Sequence, residues 1–407
     1  MGTGSTSAIN RFTSKISRLF PEKELVLTSL MEHHSNDLPH RFFFKKVNHV
    51  SLSVGADGKK GPICLKSLEE ELQKNSTSIA FVAVSLMSNV TGIINEIHEI
   101  ARITHKYKKI VLVDATQAAA HIPIYMSLTE QPDAYIDALV FSGHKIYTPA
   151  SPGVLIVRKD LLEKTELTEY GGGIVKDVSK KDFSLSQDIV HREYAGTPNI
   201  SGTIMLGVTL KLLSKIGMKN IYEHEISLTK NLISKLQSVP NISIYGSLST
   251  EVSRISATSF NIKGIPHSLI TAILNDYFNI AVRNECFCAH PYVRELLLPE
   301  LWNIDLDDED IVDELDYVDE WRGMVRVSLG IYNTEEDIDN LIQALINIEK
   351  NIDYYRIKYK KNGKDYRHKT YKCPEIISFA DKLTDSLVSK YQLDKVNEHL
   401  PVFVKRL

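Results

Sequence analysis

Two polar side chains at the ends of predicted buried strands could carry out chemistry together. Asp114 follows the apolar run 110–113, and Lys145 lies just beyond the apolar run 138–141. The carboxyl ends of parallel strands meet at one edge of a sheet, so both side chains are expected to face one small molecule. A lysine amine held partly desolvated at the rim of a pocket forms a Schiff base with an aldehyde cofactor. A carboxylate opposite that amine would keep a pyridine nitrogen protonated, which pyridoxal phosphate (PLP) requires.

Each of these two residues also has a common structural use when it is taken alone. A strand-end aspartate often caps a following helix, and a lysine usually lies on the solvated surface. The polar neighbours at 115–117 and 142–144 favour the functional interpretation of the pair.

A segment of small and hydroxyl-bearing residues lies near the start of the sequence. Residues 2–10 read Gly-Thr-Gly-Ser-Thr-Ser-Ala-Ile-Asn and are predicted to form a loop that enters a helix. Free backbone N–H groups at a helix N-terminus can hold a phosphate, helped by the helix dipole and by the hydroxyls of Ser5 and Thr6. A simple Ser/Thr helix cap is the alternative.

Glu32, His33 and His34 are consecutive and could suggest a metal site. No second pair of ligands lies nearby in the sequence, so a metal is not predicted. The better functional use of this segment is an imidazole stacked on the aromatic ring of a ligand.

Strand-like and helix-like segments alternate along the chain. In the first half, strands are predicted at 24–29, 42–54, 79–86, 110–114, 138–141 and 153–157, and helices at 65–72, 96–106 and 201–216. In the second half, strands are predicted at 242–245, 257–262, 281–283 and 324–328, and helices at 221–235, 267–278 and 335–348. The order predicts an α/β fold with a mostly parallel sheet between helices, followed by a smaller α+β domain.

Three parts of the chain follow from this pattern. Residues 1–216 are predicted to form the large domain, 217–350 the small domain, and 351–407 a C-terminal extension. The acidic stretch 305–320 is interpreted as a solvated insertion. The extension contains a basic run at 358–372 and an amphipathic stretch at 376–391, and its pattern indicates no chemistry.

The overall composition is that of a globular protein. The chain has 407 residues, of which 43% are hydrophobic and 24% charged, and its net charge of −3 argues against nucleic acid as the main partner. No apolar run reaches the roughly 18 residues of a membrane span. The four cysteines, Cys64, Cys286, Cys288 and Cys373, are too unevenly spaced for a disulfide framework. They indicate a reducing compartment, and a cytoplasmic location is predicted.

Seven motifs in this order resemble one enzyme family. They are Gly-Ser-Thr-Ser-Ala-Ile-Asn (4–10), Glu-His-His-Ser-Asn (32–36), Ser-Asn-Val-Thr-Gly (88–92), Val-Asp-Ala-Thr-Gln (113–117), Ser-Gly-His-Lys (142–145), Ala-Gly-Thr-Pro-Asn (195–199) and Arg-Val-Ser-Leu-Gly-Ile-Tyr-Asn-Thr (326–334). This set resembles the class V aminotransferase-fold PLP enzymes, nearest the cysteine desulfurase and selenocysteine lyase branch. The resemblance implies a PLP-dependent transferase of fold type I.

The resemblance also implies how the cofactor is held. PLP would be attached to Lys145, with Asp114 at its ring nitrogen, Gln117 at its phenolate oxygen and His33 stacked on the ring face. The phosphate group would be held by Ser5 or Thr6, Ser142 and His144, with Thr197 reaching it from the neighbouring subunit of a homodimer.

A small amino acid substrate is implied as well. Asn89 would contact the cofactor and position the substrate, and Arg326 would grip the substrate carboxylate in a bidentate pair. In desulfurases a cysteine on a small-domain loop takes the sulfur, and the Cys-Ala-x-Pro portion of residues 283–291 assigns that role to Cys288. The thiolate would take sulfur from L-cysteine, or selenium from selenocysteine, and leave alanine. The persulfide could then pass to a sulfur-acceptor protein.

Two alternatives stay open at this stage. The chain could be another class V enzyme, such as an aminotransferase or an epimerase-like enzyme, that does not use Cys288. It could also be an inactive, truncated homologue, because the family normally begins with a further segment ahead of the phosphate loop. Three residues depart from the family pattern: Tyr194 stands where a glutamate is usual, and Glu285 and Cys286 replace a glycine and a histidine.

Overall fold

The computed structural model describes residues 4–301, 321–371, 381–386 and 389. Its two compact units are residues 1–352 and 353–407. The helices are α1 Ser5–Leu19, α2 Leu38–Phe43, α3 Leu65–Asn75, α4 Ile97–Lys106, α5 Lys159–Glu163, α6 Ile189–Arg192, α7 Ile200–Ile216, α8 Met218–Leu236, α9 His267–Phe278 and α10 His290–Leu301, followed by Glu335–Lys350 and Ile352–Arg356. The strands are β1 Leu25–Ser29, β2 Lys46–Val50, β3 Leu52–Val54, β4 Lys60–Ile63, β5 Ile79–Ser85, β6 Ile110–Asp114, β7 Ala138–Ser142, β8 Gly153–Val157, β9 Val175–Val178, β10 Phe183–Leu185, β11 Ile242–Ile244, β12 Thr258–Ile262, β13 Arg283–Glu285, β14 Met324–Val327, β15 Tyr359–Asn362 and β16 Asp365–His368.

The main sheet has six strands in the order β2-β1-β5-β6-β7-β8. The neighbours are parallel except for β7 and β8, which run antiparallel. This topology confirms the predicted α/β fold with a mostly parallel sheet. The carboxyl ends of β1, β5, β6 and β7 therefore lie along the same edge.

Alternate residues of the central strands enter two separate hydrophobic cores. In β6, for example, Leu112 packs with the α1 side chains Ile9 and Phe12, while Val111 and Val113 belong to the other core. That second core also receives apolar side chains from α3 and α4. The sheet is therefore covered by helices on both faces, which explains why its strands read as continuous apolar runs.

A second sheet lies later in the first unit. Its four strands have the antiparallel order β11-β12-β14-β13. The predicted division between residues 216 and 217 stays a prediction. The described part of the second unit contains the hairpin β15–β16.

Two predicted strands differ from the structure. Residues 42–54 do not form one strand, because α2 continues to Phe43 and the following extended segment changes partners: β2 pairs with β1, whereas β3 pairs with β4. The strand predicted at 281–283 lies at Arg283–Glu285, where backbone pairing with β14 rather than side-chain hydrophobicity fixes its position.

The predicted acidic insertion at 305–320 lies outside the described residues, as do Cys373 and most of the amphipathic stretch 376–391. Among the described helices, none is by itself long and apolar enough to cross a membrane. Helices α7 and α8 are long and apolar enough only when they are counted as one segment, and the chain bends by 76° between them.

Candidate active site

Ten of the predicted site residues line one cavity of about 240 Å³ at the carboxyl edge of the main sheet. They are Ser5, Thr6, His33, Asn89, Asp114, Gln117, Ser142, His144, Lys145 and Cys288. Parallel strands bring most of these residues together because each strand end delivers its polar residues to the same edge, while Ser5 and Thr6 come from the start of α1 and Cys288 from a loop after β13.

Asp114 ends β6 and is only 5% exposed. Its Oδ1 accepts the backbone N–H of Thr116 at 2.9 Å, the contact expected of a capping aspartate. Burial raises the pKa of the Asp114 carboxyl, while hydrogen bonds from Thr116 and the Lys145 charge act in the opposite direction. A buried carboxyl in this position has a strong electrostatic preference for a cationic partner in the cavity.

Lys145 closes the short turn Gly143–Lys145 that follows β7. Its side chain is accessible from the cavity, but its amine is deep enough for desolvation to lower the pKa. The Asp114 carboxylate raises that pKa, and the charges of Arg326 and Arg283 lower it again. A lowered pKa makes the neutral, nucleophilic amine more available at neutral pH.

The start of α1 forms another wall of the cavity. The Ser5 backbone N–H donates to Ser142 Oγ at 2.7 Å, which ties the helix start to the end of β7. The neighbouring strand β8 allows this approach because Gly153 lacks a side chain: a Cβ there would lie 2.1 Å from the carbonyl of Gly4. Gly4, Ser5 and Thr6 all face the cavity, so the positive end of the helix dipole points into it.

His33 also lines the cavity and is half-buried. Its Nδ1 accepts the backbone N–H of Ser35 at 3.1 Å. Burial, followed by the nearby Lys145 charge, lowers the His33 pKa to about 4. The ring is therefore neutral at physiological pH and presents a flat, uncharged face.

Cys288 lies on a loop formed by residues 283–291, the Cys288 loop. The side-chain amide of Asn89 donates to the carbonyl of Phe287 at 2.8 Å, and the backbone N–H of His34 donates to the carbonyl of Cys288 at 2.7 Å. The loop is thus held against two separate segments of the cavity wall.

Arg326 and Thr197 do not line this cavity. Arg326 lies behind Asn89: its Nη1 donates to the Asn89 carbonyl at 2.8 Å, and its guanidinium carbon lies 5.0 Å from the centre of the Phe287 ring. Burial lowers the Arg326 pKa to about 10. Thr197 lines a second cavity next to the first, and His144 contributes to both.

The sequence patterns missed two features of the cavity. Arg283 lines it and brings a cation to the cavity, although its position at the start of the short strand β13 gave no signal. Glu32, considered above as a metal ligand, is instead buried and accepts hydrogen bonds from the side chains of Ser29, Ser85 and Asn36. Burial raises the Glu32 pKa to about 7. Glu32 thereby links the ends of β1 and β5 beneath the cavity.

Comparison with known proteins decides the family. The sequence profile described as Aminotransferase class-V matches residues 2–341. The chain belongs to the class V aminotransferase family. It is 32% identical over 351 residues to a cysteine desulfurase of Wigglesworthia glossinidia brevipalpis, covering 85% of this chain and 76% of the relative. It is 31% identical to a cysteine desulfurase of Shigella sonnei, covering 80% of this chain and 71% of the relative.

Solved structures of class V proteins are similar in fold as well. The apo cysteine desulfurase of Thermococcus onnurineus superposes with a TM-score of 0.72 at 26% identity, over 86% of this chain and 78% of that chain. A cysteine desulfurase of Escherichia coli superposes with a TM-score of 0.68, also at 26% identity and over the same shares of the two chains. These similarities confirm the predicted family and fold class.

Proposed function

We propose that this class V protein is a PLP-dependent cysteine desulfurase that converts L-cysteine to alanine and leaves the sulfur as a persulfide on Cys288. The observation that carries this proposal is that Lys145, Asp114 and Cys288 line the same cavity. Similarity to proteins named cysteine desulfurase supports it. Selenocysteine, whose heavier chalcogen is a better leaving group, would use the same residues.

The residues of the cavity fit PLP. The Asp114 carboxyl has one oxygen engaged by Thr116 and lies buried beside a lysine amine, an arrangement suited to a protonated pyridine nitrogen at one end and an aldehyde at the other. The start of α1, with the hydroxyls of Ser5 and Ser142, suits a phosphate. When bound, PLP supplies an electron sink for the amino acid substrate.

Each wall of the cavity would have its own task. Lys145 would attach the cofactor and move protons at the substrate α-carbon. Asp114 would keep the ring nitrogen protonated, and Gln117 would donate to the phenolate oxygen. The neutral His33 ring would cover the cofactor face and exclude water, while Thr6 and His144 would help to hold the phosphate.

The substrate would be positioned from the Cys288 side of the cavity. Asn89 lines the cavity but also supports the Phe287 carbonyl, so it would orient the substrate and the loop together. Arg326 would have to exchange its bond with the Asn89 carbonyl for the substrate carboxylate. Arg283 already faces the cavity and offers that carboxylate a second cation.

The sulfur step balances without an external oxidant. The Cβ–S bond of cysteine breaks, an S–S bond forms with Cys288, and the β-carbon gains the proton that completes alanine. The thiol of Cys288 becomes a persulfide, Cys288–S–SH. A thiol reductant or an acceptor protein then takes the terminal sulfur and restores the thiol.

The first test is whether the purified chain performs this reaction. With PLP, L-cysteine and dithiothreitol, we expect sulfide and alanine to appear in equal amounts. Alanine measured by chromatography and sulfide measured by methylene blue provide the two readings. Transamination would instead give a keto acid without stoichiometric sulfide, and epimerisation would give D-cysteine. Either result would contradict the proposed reaction.

We infer that the functional form is a homodimer formed through α7. Only Gly202, Leu206 and Leu213 of this helix are buried. A stripe of apolar side chains at intervals of four residues is exposed instead: Ile200, Ile204, Val208, Leu212 and Ile216. Five exposed apolar side chains in one row on a helix indicate a protein–protein interface. The stripe directly follows residues 195–199, so a second copy seated on it would bring Thr197 close to the partner's phosphate site.

Replacing Val208 with glutamate should disrupt this dimer. We expect the dissociation constant, measured by analytical ultracentrifugation, to rise at least about thirtyfold, because a buried charge would face an apolar surface. Val54→Glu is the matched control, since Val54 is 61% exposed and Val208 65%. A Val208→Glu protein that associates as tightly as Val54→Glu would exclude α7 as the interface.

We also infer a reducing, cytoplasmic setting for this chemistry. Cys64, Cys286 and Cys288 are all free thiols in the structure. A nucleophilic cysteine that cycles through a persulfide requires a thiol reductant, which reducing compartments supply.

A further inference from the structure

A pair of histidines joins the Cys288 loop to the segment that carries His33. The rings of His34 and His290 stack with centroids 4.8 Å apart and an interplanar angle of 11°. His34 Nε2 lies 3.0 Å from His290 Nδ1 and 3.3 Å from the backbone nitrogen of His290. His290 begins α10 two residues after Cys288, so this contact fixes the end of the loop.

The backbone of the loop requires such support. Glu285, Phe287 and Cys288 have φ angles of 84°, 53° and 56°, in the left-handed region that residues with side chains rarely adopt. Within the described chain, donors from His34 and Asn89 hold the carbonyls of Cys288 and Phe287. A strained loop held by a few contacts will change conformation when one of them is lost.

The contact between the two rings depends on the protonation of His34. Its Nε2 faces two donors, the His290 backbone N–H and His290 Nδ1–H, so it must be an unprotonated acceptor. The ring proton of neutral His34 is then on Nδ1. If Nε2 gained a proton, it could no longer accept the His290 backbone N–H, and the ring contact would persist only with the His290 proton moved from Nδ1 to Nε2.

The groups around His34 shift its protonation equilibrium in both directions. Burial lowers the His34 pKa, and His290 and Arg41 lower it further, while Asp37 raises it. His33 lies on the same segment, with its ring centroid 6.3 Å from that of His34. The positive N-terminal end of α10 also opposes a charge on His34. The neutral form therefore predominates at physiological pH.

We propose that His290 is a positioning residue that holds the Cys288 loop at the cavity through neutral His34. The contact itself is independent of the proposed function, but its use in sulfur transfer rests on that function. A loop held in this position keeps Cys288 at the cavity, where the substrate binds.

The His34 pKa keeps this contact in place at neutral pH and above. Because the folded protein lowers that pKa from its ordinary value of 6.5, Nε2 stays an acceptor there. Cys288 should consequently be protected from thiol reagents at about pH 8.

The experiment measures the accessibility of Cys288 without using enzyme activity. The full-length PLP-loaded protein, without amino acid, is treated with dithiodipyridine, and modification of Cys288 is followed by mass spectrometry with Cys64 as internal reference. At about pH 8, His290→Ala should raise the Cys288 rate about tenfold, the effect expected from loss of the ring hydrogen bond and the ring stacking, while the backbone N–H of residue 290 is kept.

A conservative variant separates positioning from general damage to the fold. In His290→Asn the side-chain amide can replace the Nδ1–H donor, so Cys288 should react within about threefold of the original rate. The positioning role of His290 is wrong if His290→Ala leaves the Cys288 rate unchanged or if His290→Asn behaves like His290→Ala. A chain in which His290→Ala exposes Cys288 but which releases no sulfide keeps the positioning role and loses the proposed function.

Discussion

Lys145→Ala should abolish the absorbance band that appears near the visible edge when PLP binds, and should lower sulfide release by at least about a thousandfold. In the proposed reaction this amine is the nucleophile toward the cofactor aldehyde, and desolvation already lowers its pKa. Without the amine, the cofactor has no covalent attachment, and no group at that place can move the substrate α-proton. Absorbance titration with PLP and the methylene blue assay measure the two effects.

A matched lysine tests whether the effect is specific. Lys66 lies on α3 with 86% of its side chain exposed, in an ion pair with Glu70. Lys66→Ala should leave both the absorbance band and sulfide release unchanged, because exposed ion pairs contribute little to stability. If Lys145→Ala kept the band while Lys66→Ala lost it, the assignment of the Schiff-base lysine would be wrong.

The residues that could be predicted from the sequence share a local signal. Asp114, Ser142 and Lys145 lie at or just beyond the ends of apolar runs, and Ser5 and Thr6 begin helix α1, so each position follows from its neighbours in the chain. Parallel pairing then brings distant strand ends to one edge without further information. The cavity could therefore be predicted before any contact was known.

The contacts that the sequence could not predict depend on packing between distant segments. The bond from Arg326 to the Asn89 carbonyl requires β14 to lie against the turn after β5, which no periodicity encodes. The stacking of His34 on His290 joins residues 256 positions apart. Residues 42–54 show the same limit, because alternation indicates an extended chain but does not identify the partner of each part.

Cys288→Ser should separate cofactor binding from sulfur transfer. The hydroxyl keeps the size of the side chain and cannot accept sulfur, so we expect the PLP absorbance band to persist while sulfide release falls at least about a hundredfold. The comparison must be made with dithiothreitol present, since it removes the persulfide sulfur in the original protein. Mass spectrometry of the Cys288 peptide should show an added sulfur only in the protein that retains this cysteine.

Cys286→Ser distinguishes a single nucleophile from a pair of cooperating thiols. The Cys286 thiol donates to the Arg322 carbonyl at 3.0 Å and its side chain packs against the hydrophobic core, contacts that indicate a space-filling role. Serine can keep the hydrogen bond, so sulfide release should stay within about threefold of the original rate. If Cys286→Ser instead abolished release as completely as Cys288→Ser, the sulfur would have to pass through both thiols. If Cys288→Ser released sulfide normally, the cavity would not use this loop, and another class V reaction would be the better explanation of the Lys145 site.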